Sequence, residues 1–308
     1  MDPPLQAIRL DLPSWLAGLD EDHPTAFKDH VRELRDARAR SNGYSSLAEG
    51  YELLRSFEFK IPDTAHEDGL PRRQLPASVT AIGPHTLRLV SRLSSGHGLH
   101  TPGDTCPSQV WTVRTDSTRD DELLVAKIYC PSFAIPRTSH IPGIYEYITP
   151  TQHARVEEAA YKALSSVQGR WVPYFLGRFQ TALPHGEPAE VNLLEYVPGQ
   201  LLSEWRNARC ADPLHTIGTL EFKALRQDHI DLFTGLSTQI AEMHALGIRH
   251  CNLHGSHIIL PQPDRLSGGF VFIDFAYARA WKPPTERSNV GVVDYRKAAA
   301  AFRCCDAP

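Results

Sequence analysis

Lys127 is the one charge in an apolar run, Leu123-Leu124-Val125-Ala126-Lys127-Ile128-Tyr129. Burying an ammonium is costly unless an anion meets it, so a lysine projecting from such a run is a candidate phosphate-binding group. A lone strand lysine more commonly snorkels to water. Glu157 and Glu158, in Val156-Glu157-Glu158-Ala159-Ala160-Tyr161, are rival anions for it, and either one is equally at home on a solvated helix surface. Phe270-Val271-Phe272-Ile273-Asp274 ends an apolar stretch with an acid, a place suited to a metal-binding carboxylate or to an ordinary turn residue. His250, Asn252, His254 and His257 crowd into one short segment. The spacing His250-x₃-His254-x₂-His257 is metal-like, but zinc needs three or four converging ligands, and a loop would put these rings on differing faces.

The elements that must hold these residues follow from periodicity. Thr25 to Arg40 reads as a charged surface helix with Phe27, Val31 and Leu34 on one stripe, and Ser45 to Phe57 as a second helix with Leu47, Tyr51 and Leu54 at helical spacing. Residues 61–78, with Pro62, Pro71 and Pro76, read as a linker. Strands are expected at Thr86–Ser91, Gln109–Arg114, Leu123–Tyr129 and Val191–Tyr196, the last closed by Val197-Pro198-Gly199. Val156 to Val167 reads as a helix burying Ala160, Leu164 and Val167. Asp228 to Leu246 is the longest amphipathic helix, with Ile230, Phe233, Ile240 and Met243 as its inner stripe and Gly247 as its left-handed stop. Short strands at Ile258–Leu260 and Phe270–Ile273 follow. The tail is proline-rich from Trp281, with a helix through Ala298–Ala301 and a terminal Cys304-Cys305 pair. A sheet-rich front half followed by a helical half is an α+β order with two lobes, and a ligand sits in the cleft of such an order.

Composition narrows the classes. The chain has 308 residues, enough for two domains with their own cores, and its 22% charged and 42% apolar content is ordinary for a globular protein. A net charge of −4 gives no reason to expect nucleic acid or an anionic membrane as partner. No run reaches bilayer-spanning length, and the acidic start lacks the apolar stretch of a secretory signal. Six scattered cysteines suit free thiols in a reducing compartment, hence an intracellular, cytoplasmic location.

Taken in order, Lys127, Glu157, the hinge 195–199, the loop 250–257 and Asp274 resemble the protein-kinase-like superfamily, most of all the small divergent kinase-like proteins of fungi. The segment His250-Cys251-Asn252-Leu253-His254-Gly255-Ser256-His257 has the spacing of the kinase catalytic loop, H-R-D-x-x-x-x-N. Glu157-x-x-x-Tyr161-x-x-Leu164, Leu193-Leu194-Glu195-Tyr196-Val197-Pro198-Gly199, Gly247-Ile248-Arg249-His250 and Ile273-Asp274-Phe275 are similar to that group's phrases, over about residues 85–280. The resemblance implies ATP and Mg²⁺ as cofactors. Lys127 would pair with Glu157, Val125 and Leu194 (the gatekeeper position) would line the pocket, the main chain of Glu195 and Val197 would meet adenine, and Asp274 would hold Mg²⁺.

Four departures accompany it. Asn252 replaces the catalytic acid; an amide orients a hydroxyl but takes no proton from it, and general-base help is worth about 10²–10⁴-fold. His257 replaces the second metal ligand, and imidazole suits zinc, copper or nickel better than Mg²⁺. Ser94-Ser95-Gly96-His97-Gly98-Leu99-His100 is a poor glycine-rich loop. Beyond Asp274, Ala276 stands where Asp-Phe-Gly has glycine, and no Ala-Pro-Glu segment follows; Asp294 stands where a structural helix could begin.

The expected architecture is therefore α+β and protein-kinase-like: a helical N-terminal extension and linker over 1–78, an N-lobe over 79–196 and a shortened C-lobe over 197–308. The expected function is that of an ATP-binding pseudokinase or severely impaired kinase working through nucleotide or an unknown protein partner. Two alternatives stay open: an active phosphotransferase with a displaced base such as His254, and an interaction module that binds no nucleotide.

Overall fold

The computed structural model describes residues 47–60, 71–80, 84–94, 108–116, 122–130, 149–210, 220–262, 269–281 and 294–296. The expected helices at 25–40 and 298–301, most of the linker, the glycine-rich loop beyond Ser94 and the cysteine pair lie outside them. The architecture mixes helices and strands, α+β as expected. The chain divides into two compact units. One comprises residues 1–61, 75–155 and 175–196, the other 62–74, 156–174 and 197–308.

The first unit is built on a six-stranded, wholly antiparallel sheet. Its strands are β1 (Glu52–Phe57), β2 (His85–Ser94), β3 (Ser108–Thr115), β4 (Leu124–Tyr129), β5 (Phe175–Ala182) and β6 (Pro188–Glu195), in the order β1-β2-β3-β4-β6-β5. A short helix, α1 (Ala77–Thr80), precedes β2. The edge strands are drawn toward each other: Thr181 Oγ1 donates to the Leu53 carbonyl at 2.8 Å, and Lys60 N–H to the Leu176 carbonyl at 2.9 Å. This curls the sheet and covers its edges, which would otherwise offer unpaired backbone groups.

The expected helix at Ser45–Phe57 is corrected here, and with it the helical character of the N-terminal extension over the described residues: Glu52–Phe57 is strand β1. Gly50 interrupts the helical stripe and takes φ +79°, and its N–H goes to the Leu89 carbonyl of β2. Glycine disfavours a helix interior by about 1 kcal/mol, and pairing with β2 decides the segment. Leu53, Leu54 and Phe57 are buried all the same.

Helix α2 (Pro150–Ala163) begins earlier than its apolar stripe suggests. Thr149 and Gln152 form a capping box: Gln152 N–H donates to Thr149 Oγ1 at 3.2 Å and Thr149 N–H to Gln152 Oε1 at 2.8 Å, with Pro150 at the first helical position. The helix yields to a 3₁₀ turn, Ser165–Val167, and Ala160, Leu164 and Val167 are buried as expected.

In the second unit, β7 (Gln200–Leu201), β9 (Ile258–Leu260) and β10 (Val271–Phe272) form a small sheet, β10-β9-β7, and β8 (Ile248–Arg249) pairs with β11 (Arg279–Ala280). Gly199 makes the first possible: a Cβ there would lie 2.5 Å from the Leu260 carbonyl oxygen. Helix α3 (Leu202–Cys210) is followed by α4 (Leu220–Ala245). The inner stripe of α4 is Leu232, Leu236, Ile240 and Met243. Ile230, expected inside, is 48% exposed, because the four-residue spacing from Leu232 to Ile240 sets the buried face. Gly247, at φ +82°, ends the helix as expected. Among the described residues no helix is long and apolar enough to cross a membrane.

Candidate functional site

In the first unit Val125, Lys127 and Leu194 lie on one sheet face. Strand β4 pairs with β6 in the register Val125↔Leu194 and Lys127↔Asn192, and Lys127 faces Val110 of β3. Directly paired residues project to the same side of a sheet, so Val125, Lys127, Asn192 and Leu194 share a face, while Glu195 opposite Leu124 lies on the other. Lys127 is only 5% exposed, with its ammonium 5.5 Å from the centre of the Tyr129 ring. Asn192, also buried, donates from Nδ2 to the Ala154 carbonyl of α2 at 3.0 Å and fixes the first turns of that helix to this face.

In the second unit the carboxylates separate cleanly. Glu157 is fully buried, and its Oε1 accepts the main-chain N–H of Phe275 at 3.2 Å. Glu158, partly buried, pairs with Lys162 one helical turn on, at 2.8 Å. Phe275, itself buried, sits edge-on to Tyr161 (ring centres 5.2 Å apart) and against His250 (4.7 Å). The aromatic sequence Tyr161–Phe275–His250 thus locks the end of the Asp274 segment to both α2 and the histidine loop.

The loop is anchored from below by Asp294, in a helical stretch at 294–296. Its Oδ2 accepts the main-chain N–H of His250 at 3.0 Å and its Oδ1 that of Cys251 at 2.9 Å, and His244 Nε2 lies 3.1 Å from Oδ2. Burial alone would raise this carboxyl, but the His244 hydrogen bond, the nearby His250 and the two N–H donors outweigh it and hold it below the usual carboxylate range. These bonds also sustain the left-handed backbone of Cys251, at φ +63°. Its thiol is pushed up by burial, which argues against a nucleophilic role.

His250 is fully buried and serves as a structural hinge pin: Nε2–H donates to the Ile273 carbonyl at 2.9 Å, and Nδ1 accepts the Asn252 N–H at 3.3 Å. Burial, then the neighbouring His257, depress its pKa to about 4 against opposing contributions from the Ile273 carbonyl, Asp294 and Asp274.

Asn252, His257 and Asp274 come together directly. His257 Nδ1–H donates to the Asn252 carbonyl at 2.8 Å, and its Nε2 lies 3.0 Å from Asp274 Oδ2. Asp274 itself holds a left-handed backbone, φ +66°. The His254 ring lies on that of His257 (centres 3.6 Å apart), with its Nδ1 2.7 Å from Ser256 Oγ. The histidine rings are therefore close in space, where differing faces were expected; it is their nitrogens that diverge, each toward a separate partner. Among the described residues no group of three or more His, Cys, Asp and Glu side chains is placed to hold a metal ion. Nor does the donor set fit Mg²⁺, which demands oxygen ligands in near-octahedral array: the Asp274 carboxylate is engaged by an imidazole, and the second position offers nitrogen. Val197, buried just after β6, belongs to this second unit.

Sequence reasoning missed Asn192, Phe275 as a partner of Glu157, and His244 with Asp294. For the last, the sequence offered only the position of Asp294 where a structural helix could begin. Comparison with protein-family models and with curated protein sequences found no match.

Proposed function

We propose that this chain is a protein-kinase-like protein of the two-lobed kinase architecture, which binds nucleotide and whose phosphotransfer is lost or severely impaired. Its nucleotide pocket would be lined by Val125, Lys127 and Leu194, with the main chain of Glu195 for the adenine edge. The observation that carries this reading is the tie between Glu157 and the Asp274-Phe275 segment, with the 250–257 loop packed on the same Phe275 ring. Those three pieces were joined beforehand only by their order along the chain. Lys127 adds support: it is buried, and it lies on the third strand counted from β2, where the kinase fold carries its phosphate-pairing lysine.

The chemistry argues for binding over turnover. Asn252 has no carboxylate to accept a hydroxyl proton. Calorimetry of ATP with the purified protein, beside Lys127→Ala, is the test. Saturable binding that the variant loses supports the reading. Its absence in the unsubstituted protein would leave an interaction module on the same frame.

A further inference from the structure

Residues 71–76 form neither helix nor strand, and none of the six is buried. Arg72 and Arg73 are nevertheless fixed in place, by hydrogen bonds to the turn that follows α2 within the second unit. The Arg72 guanidinium donates to the Ser166 carbonyl at 3.0 Å and to that of Gln168 at 2.9 Å. The Arg73 guanidinium donates to the carbonyls of Arg170 and Val172, the second at 3.0 Å. Two adjacent planar forks thus take four carbonyls at alternate positions. The Arg73 main chain is gripped as well: its N–H donates to the Gly169 carbonyl at 2.8 Å, and its carbonyl accepts the Tyr174 hydroxyl at 3.1 Å. Gly169 permits this turn. At φ +75° its N–H closes on the Val172 carbonyl at 2.9 Å, and a Cβ there would lie 2.2 Å from the Tyr174 ring. Tyr174 is buried, so the receiving side is part of the packed structure while the arginine segment lies on its surface.

We propose that residues 166–174 form a receptor for a pair of adjacent arginines, filled by the chain's own Arg72-Arg73, and that an arginine-pair segment of a partner protein binds there by displacing them. A segment without regular structure, kept on a surface by side-chain donors and two main-chain bonds, is held as a peptide ligand is. The carbonyls lie just past the C-terminal end of α2, the negative end of the helix dipole, which favours a cation. Lysine fits poorly: its ammonium is a point charge, whereas each guanidinium fork spans two acceptors at once. The resident arginines belong to the same chain, so a partner competes against a high effective concentration and the site is closed by default. Neither nucleotide nor the histidine loop takes part.

The experiment uses the full chain carrying both Arg72→Ala and Arg73→Ala, with a fluorescent peptide of the sequence Pro71-Arg72-Arg73-Gln74-Leu75-Pro76 read by anisotropy. The double variant is expected to bind this peptide saturably, and the unsubstituted protein at least about tenfold more weakly, because its site is already filled. The same peptide with lysine for both arginines is expected to bind the double variant at least about tenfold more weakly than the arginine peptide. Absence of binding to the double variant overturns the proposal. So does equal binding by the two proteins, or equal binding of the two peptides. If the double variant does not fold, it is refolded with each peptide in excess and followed by circular dichroism. Recovery of the native signal with the arginine peptide alone supports the receptor, and failure to recover, or equal recovery with lysine, overturns it.

Discussion

Asp294 accepts the main-chain N–H of His250 at 3.0 Å, from the far end of the described chain. A single carboxylate there satisfies two buried donors of the histidine loop and one histidine ring. An acid so placed is a structural keystone: it sets the left-handed turn at Cys251 and thereby where Asn252 and His257 fall.

Its removal should therefore be costly. Asp294→Ala leaves the His250 and Cys251 N–H groups without their acceptor, for an expected loss of about 3 kcal/mol. Asp294→Asn, which keeps one acceptor oxygen, should lose less. Denaturant midpoints of the two variants check the order, and equal losses would count against the hydrogen-bond account.

Acid should destabilise the fold through His250. Its pKa is ordinarily near 6.5 and falls to about 4 in the fold, so between those values the unfolded chain binds a proton that the native state refuses. Stability is then fully present above about pH 6.5 and declines toward pH 4, by on the order of 3 kcal/mol from this residue. Asp294, held low in the native state, adds to the loss at still lower pH. Unfolding free energies across this range should show the slope in the parent chain and a shallower one in His250→Gln.

Two arginines should matter as structure. Arg72 donates to the carbonyls of Gln168 (2.9 Å) and Ser166 (3.0 Å), and Arg73 to those of Arg170 and Val172, just past the end of α2. Charge-assisted bonds to main-chain carbonyls are worth about 1.5–3 kcal/mol each at best. Arg72→Ala and Arg73→Ala should each lower the melting temperature in a thermal unfolding assay.

The capping box of α2 is separately testable. Thr149→Ala removes one of its two reciprocal bonds and should reduce stability by about 1 kcal/mol. Thr149→Ser, which retains the oxygen, should recover most of it in the same thermal assay.

Restoring the loop chemistry is the most direct probe of function. Asn252→Asp together with His257→Asn reinstates a proton acceptor and frees Asp274. If only the loop is broken, phosphotransfer to a generic protein substrate should rise by about 10²-fold or more. A flat result would count against the loop as the sole cause.

Much of the fold was legible because apolar periodicity is a local property. The runs at 86–91, 109–114, 123–129 and 258–260 had nowhere to go but a sheet, and the inner stripe of α2 and the glycine stop of α4 were equally plain. Other features depended on distant partners. Segment 45–57 has helical spacing, yet becomes a strand because β2 supplies hydrogen bonds and Gly50 weakens the helix. Strand β5 was not expected, since Phe175–Ala182 lacks a clean alternation and is defined by its pairing with β6.

The candidate site divides along the same line. Residue types and order by themselves determined which side chains could do chemistry: a lysine in an apolar strand, an asparagine and three histidines in one short loop, and an acid ending an apolar strand. Tertiary structure alone gave the two neighbouring acids different surroundings, burying Glu157 against the Phe275 N–H and pairing Glu158 with Lys162. It alone brought His257 to the Asp274 carboxylate. Chemical identity is written in each residue, whereas which donor meets which acceptor depends on backbone brought together from opposite ends of the chain.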